Sequence, residues 1–194
     1  MSVGVLARGE AAKCKRADFD AAARPGAGDR TVAEAALAAI RYADPAAFTT
    51  ATAVARAMAA KRDDVMPVRD RVGIIAISAD GPVEAMAAMN QAAREGSSSP
   101  IRFPASNAGS LAGLSSIGFT LRGPTLMLTT PPARGVPAGL LVARAFLERG
   151  VADYMFLATC AVPATGAIAR CFLLGRAGDP IGDADLAWLA VGSP

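Results

Sequence analysis

The sequence predicts an α/β fold: a mainly parallel five-stranded sheet with helices on both faces. Three observations support this. The apolar runs VGIIAIS at 72–78 and PTLMLTT at 124–130 are too continuous for strands with a wet side, so they belong in a sheet covered on both faces. Segments with helical spacing of apolar residues lie between the candidate strands, and strands alternating with helices make parallel crossovers. At 194 residues and 53% hydrophobic content, the chain can bury one sizeable core, which suggests a single domain over 1–194.

The first candidate strand is the short apolar run SVGVLA at 2–7. Residues 8–30 read as a loop-rich insertion, with Pro25, Gly26 and Gly28 marking turns. Thr31 and Glu34 have capping-box spacing and predict a helix over 32–42. Asp44-Pro45 signals the start of another, over 48–61.

After the strand at 72–78, an Ala-Asp-Gly-Pro turn leads into VEAMAAMNQAARE. There Val83, Met86, Met89 and Ala93 recur at helical spacing, so the methionines read as packing rather than as a cofactor box. SSSPIRFPASN is an extended loop. AGSLAGLSSIGF has the small-residue content of a helix packed closely on a neighbour, and its glycines do not form a phosphate-cradling GxGxxG after a strand.

The strand at 124–130 leads to a helix over 135–150, where Leu140, Leu141, Val142, Ala143, Phe146 and Leu147 predict burial on most sides. Strands at 152–162 and 167–176 follow, and the short VPATG link makes them an antiparallel pair at one side.

Composition removes several function classes. The net charge of +3 comes from scattered Lys and Arg with few aromatics between them, which describes a solvated surface and not a nucleic-acid site. Charged residues interrupt every apolar run before bilayer-spanning length, and the first apolar patch precedes its basic cluster, the reverse of a secretory signal. No membrane partner and a cytoplasmic location are therefore expected.

Cys14, Cys160 and Cys171 lack CxxC spacing and read as small buried hydrophobes, so neither a metal nor another cofactor is suggested. The chain has no histidine, so it cannot supply a Ser/His/Asp or Cys/His pair from its own residues. Asp153, Asp179, Asp183 and Asp185 fall at a strand start and in a turn-rich tail, where structural or solvated roles are expected.

From AGLSSIGFTLRGPTLMLTTPPARG to ARAFLERGVADYMFL the chain resembles the N-terminal half of the β-ketoacyl synthases, condensing enzymes of the thiolase fold. Ala112, Gly113, Ile117, Gly123, Pro124, Thr130, Gly135, Gly150, Ala152 and Asp153 match the family in order and spacing, and the resemblance covers roughly 71–176. It implies a half-thiolase fold whose nucleophile turn follows the strand at 124–130.

Aligned on Gly123-Pro124 and Thr130, the family's nucleophilic cysteine falls on Pro132, which offers neither a thiol nor an amide hydrogen for an oxyanion. The glycine pair after Ala152-Asp153 is replaced by Ala158 and Thr159.

The resemblance implies a degenerate, non-catalytic relative of the chain-length factors of type II polyketide, polyene or fatty-acid-like biosynthesis. Its partners would be an active ketosynthase and an acyl carrier protein with a phosphopantetheine-linked acyl chain, and the strand at 124–130 would be the docking strand. Thr130, Pro131, Pro132 and Arg134 are the candidate pocket or interface residues. Arg134, in a first helical turn, opposes the macrodipole by about 0.3 to 1 kcal/mol; a partner carboxylate, a phosphopantetheine phosphate or simple solvation would each answer it. Two other readings stand beside this one: a small acyl hydrolase or dehydratase using Asp or Ser, and a homodimer that only binds an acyl carrier protein.

Overall fold

The structure, a computed structural model, describes residues 3–23, 42–97, 100 and 102–190. Five strands form its sheet: β1 (Gly4–Ala12), β2 (Val72–Ile77), β3 (Thr125–Leu128), β4 (Tyr154–Ala161) and β5 (Ile168–Gly175). Their order across the sheet is β1-β5-β4-β2-β3.

β2 pairs in parallel with both β3 and β4, whereas β5 is antiparallel to both β4 and β1. The sheet is thus evenly mixed rather than mainly parallel. The short β4–β5 link forces a reversal, as its length predicted, and β1 adds a second one by running antiparallel along β5.

β2 is buried along its whole length because helices cover both faces. On one face α1 (Arg16–Ala23), α2 (Pro45–Ala59) and α5 (Ser110–Phe119) pack on Ile74, Ala76, Phe156 and Ala158. On the other, α6 (Pro132–Glu148) and α7 (Asp183–Leu189) pack on Ile75, Ile77, Met155 and Leu157. The alternation along β2 and β4 follows the two-residue period of a strand. A single turn, α3 (Arg62–Val65), continues into a 3₁₀ stretch ahead of β2.

The expected insertion at 8–30 is replaced by regular structure as far as residue 23. β1 continues to Ala12 and α1 follows. Charged residues hid the strand, since Arg8 and Glu10 are exposed and pair with Asp185 and Arg170 while the alternate residues Gly9 and Ala11 are buried. In α1, Phe19 is fully buried against the rings of Phe48 and Phe119. The rest of that stretch and the helix expected over 32–42 lie outside the described residues, except Tyr42, which is in a turn.

α2 is nearly surrounded by protein, and Thr49, Thr50 and Thr52 satisfy their hydroxyls on carbonyls one turn back. Its N-cap, Asp44, is buried and accepts from the amides of Ala46 at 2.7 Å and Ala85 at 2.8 Å. The second bond ties α4 (Val83–Arg94) to the start of α2.

The methionines of α4 do not pack as expected. None of its residues is buried, and Met86 is 50% exposed. The helix lies on the surface beside the 3₁₀ turn Phe103–Ser106, so its periodicity has no core to face.

The helix expected over 135–150 starts earlier, at Pro132, and is buried on one side only, with Leu141 70% exposed. The glycines around α5 divide by surroundings. A Cβ on Gly118 would strike the Phe19 ring at 2.7 Å and one on Gly123 the backbone of Val72 at 2.5 Å, whereas one on Gly113 would meet nothing within 4 Å.

Candidate functional site

β3 ends at Leu128, and three residues carry the chain to α6. Pro131 is the N-cap and offers no side-chain cap; Pro132 is the first helical residue and is buried. A helix normally has four free amides at its start. Here two are absent because they belong to prolines, and the Arg134 amide turns back to the Pro131 carbonyl at 2.9 Å. Of the four, only the Ala133 amide is left to face outward. The turn is comfortable for proline, since φ at the first helical position suits the ring and the missing N–H has no intrahelical partner.

Around this turn the packing is tight. A Cβ at Gly135 would lie 2.4 Å from Ile77 Cγ2 and 2.8 Å from Thr130 Cγ2, so only glycine lets α6 settle on β2 there. Thr130 is half-buried, while Pro131 and Arg134 are exposed. Arg134 makes no ion pair among the described residues. The structure therefore gathers the four candidate residues at one turn, at the C-terminal end of β3.

Other polar groups reach the same end of the sheet, and each is engaged by main chain. Ser78 Oγ accepts from the Gly81 amide at 3.1 Å, Asp80 Oδ2 from the Val162 amide at 3.0 Å, and Thr159 Oγ1 donates to the Leu189 carbonyl at 2.6 Å. Cys160 is buried, and burial pushes its thiol up to about 12; the nearby carboxylates of Asp44 and Asp80 act the same way, against a hydrogen bond with Thr50. Burial alone also raises the Cys171 thiol. Burial thus disfavours in both the thiolate that a nucleophile requires. Iodoacetamide at pH 8 is accordingly expected to leave Cys160 and Cys171 unlabelled until denaturant opens the fold; labelling of either in the native chain would contradict the burial.

At the opposite end of the sheet Asp153 is held by Arg71, with Nε and Nη2 donating at 2.7 and 2.9 Å, and Arg71 Nη2 also reaches the Gly150 carbonyl at 2.9 Å. The hydrogen bond from Arg71 is the main reason the Asp153 carboxyl lies below its ordinary value, and the charges of Arg71 and Arg176 add to it. This clamp ties the start of β4 to the start of β2, so of the structural and solvated roles expected for Asp153 the structural one is seen.

A depressed folded pKa gives stability that is present above the ordinary value of 3.8 and lost as pH falls through the lower, folded value. Arg71→Ala should therefore lower the urea midpoint at pH 7 and lose most of that difference near pH 2. An equal difference at both pH values would show that the loss is not ionic.

Two surface cavities of about 500 Å³ each lie among the described residues. One is mainly apolar, between the outer face of α5 and the Phe103–Ser106 turn, lined by Tyr42, Phe103, Pro104, Gly113, Leu114 and Ile117 among others. The other is charged, with Lys61, Asp64, Asp153 and Arg176 at its walls. Neither is lined by Thr130, Pro131, Pro132 or Arg134. The apolar cavity was not legible in the sequence, because its wall combines residues far apart along the chain.

Among the described residues, β3 is the last strand at its side of the sheet, and no backbone hydrogen bond meets its outer edge. The carbonyls of Pro124 and Leu128 accept from Ile74 and Ser78, so the alternate residues Thr125 and Met127 turn their amides to the open edge.

No protein-family model matches the sequence, and no curated protein matches it. Solved structures match the fold. The ishigamide ketosynthase/chain length factor superposes with a TM-score of 0.62 at 15% identity, over 91% of this chain and 63% of that one. This is a thiolase-like, ketosynthase-type fold.

The same ketosynthase-type fold is found in a β-ketoacyl synthase from Burkholderia phymatum, with a TM-score of 0.63 at 13% identity over 97% of this chain and 61% of that one. It recurs in a ketosynthase in complex with its chain length factor from Xenorhabdus doucetiae, with a TM-score of 0.60 at 14% identity, over 92% and 80%. The chain thus spans about three-fifths of the length of the first and second of these neighbours. Among the described residues, no helix of this ketosynthase-type fold is long and apolar enough to cross a membrane.

Proposed function

We propose that the chain is a non-catalytic, chain-length-factor-like subunit that pairs with an active ketosynthase and helps shape the space for a growing acyl chain. One observation carries the reading: at the turn before α6, where the family's nucleophile aligns, Pro131 and Pro132 supply neither an acyl-accepting side chain nor two of the four amides that could steady an oxyanion. The absence of histidine removes the usual base for any nearby nucleophile.

The neighbours support the choice of partner. Two are ketosynthase and chain length factor proteins, and another is a ketosynthase with its acyl carrier protein and a bound hexaketide. The open edge of β3 supports the mode of pairing, because its free amides suit strand addition by a partner sheet. The acyl hydrolase or dehydratase reading gains no support from the site, where Ser78, Asp80, Asp44 and Thr159 are all bonded to main chain.

Co-expression with a ketosynthase and an acyl carrier protein tests the proposal. A one-to-one complex whose products differ in length from those of the ketosynthase alone is the expected result. Failure to co-purify, together with an unchanged product, would overturn it.

A further inference from the structure

α6 has a second surface that the sheet does not use. Val136, Leu140, Ala143 and Leu147 are buried on the sheet side. On the far side, Arg134, Ala138, Leu141, Ala145 and Glu148 follow one another at spacings of four, three, four and three, the seam of a helix that packs on another helix. All are exposed except Ala145, which is half-buried, and Leu141 has the highest exposure of the large apolar side chains among the described residues, at 70%.

The seam reads the same from either end in kind: charge, alanine, leucine, alanine, charge. The two charges have opposite signs, and each is at the unfavourable end of its own helix, Arg134 in the first turn and Glu148 in the last. Neither forms an ion pair among the described residues.

We propose that a second copy of this chain packs on this face, α6 against α6, antiparallel about a two-fold axis at Leu141. In that register Leu141 meets Leu141 of the other copy, each Arg134 meets a Glu148, and each Ala138 and Ala145 lie one residue out of level with each other along the seam. The alanines beside Leu141 let the backbones approach, and the leucines lose their exposure to water. Each misplaced charge gains an opposite charge and the favourable end of the other helix dipole, so two local costs in the monomer are relieved together. Arg144 lies opposite Ala138 of the other copy, where its long side chain can reach the rim.

A pair of helices about 25 Å long buries less than a standard interface, so a weak, concentration-dependent association is expected. This contact is separate from the β3 edge and does not rest on pairing with a ketosynthase.

Sedimentation velocity of the full chain from about 1 to 200 µM, combined with cysteine cross-linking, tests it. The native cysteines are all buried, so an introduced thiol reports alone. Leu141→Cys is expected to give a covalent dimer on mild oxidation, and Arg134→Cys mixed with Glu148→Cys should cross-link better than either variant alone. Arg134→Glu and Glu148→Arg should each weaken the dimer about tenfold or more, and combining the two should restore it. These are exposed positions, so folding is retained. A chain that stays monomeric throughout would overturn the proposal. So would a dimer indifferent to the charge reversals and uncross-linked by Leu141→Cys, or one broken instead by changes in β3.

Discussion

Met127→Pro is expected to abolish pairing with a ketosynthase while leaving the chain folded. In β3 the residues whose carbonyls bond to β2 alternate with those facing the open edge, and Met127 faces the edge. Proline removes its outward amide without touching the ladder to β2, and an edge strand is where a sheet tolerates proline. A partner strand would lose a hydrogen bond at the middle of the junction, keep a buried carbonyl without a donor, and meet the ring. Together these should weaken the complex at least about 100-fold, close to 2.7 kcal/mol. Equilibrium binding to an immobilised ketosynthase, with circular dichroism as the folding control, measures it. Unchanged affinity would mean that the partner docks elsewhere.

Gly9→Val is expected to cost at least about 3 kcal/mol, the upper end for forcing extra atoms into a packed core. β1 crosses α2 so closely here that a Cβ on Gly9 would lie 2.0 Å from the Ala53 carbonyl oxygen and 2.6 Å from the Ala57 amide nitrogen. Both obstacles are backbone, and no rotamer change can move them aside. Since a domain of this size is stable by only about 5–15 kcal/mol, the variant should melt far below the parent or fail to accumulate folded. Gly113→Ala is the matched contrast: open space around that glycine and the better helix propensity of alanine predict a neutral or slightly stabilising change. Urea titrations of the two variants against the parent decide the matter, and equal midpoints would contradict the close approach.

What could be read from the sequence depended on whether each segment's pattern matched its surroundings. β2 and β4 were legible because both faces are buried and the chain writes them as nearly continuous apolar runs, and β5 because only Arg170 interrupts its own. The C-terminal part of β1 was not, since its outward residues are charged and find partners in α7 and β5, which no local pattern announces.

α4 misled in the opposite direction: its methionines have helical spacing but no core to face. Asp44 was legible as a helix start, yet its second bond, to the amide of Ala85, depends on two segments meeting in space. At the candidate site the proline pair was plain in the sequence, while the loss of amides it causes became countable only with the Arg134 amide seen folded back on Pro131.

The central claim is that the turn ahead of α6 takes no part in acyl chemistry. Intact-mass spectrometry of the purified chain, incubated with an acyl thioester and with an acylated carrier protein, tests it most directly. An unmodified mass under both conditions is the predicted result; one added acyl group per chain, mapped to a residue between Thr129 and Gly135, would contradict it.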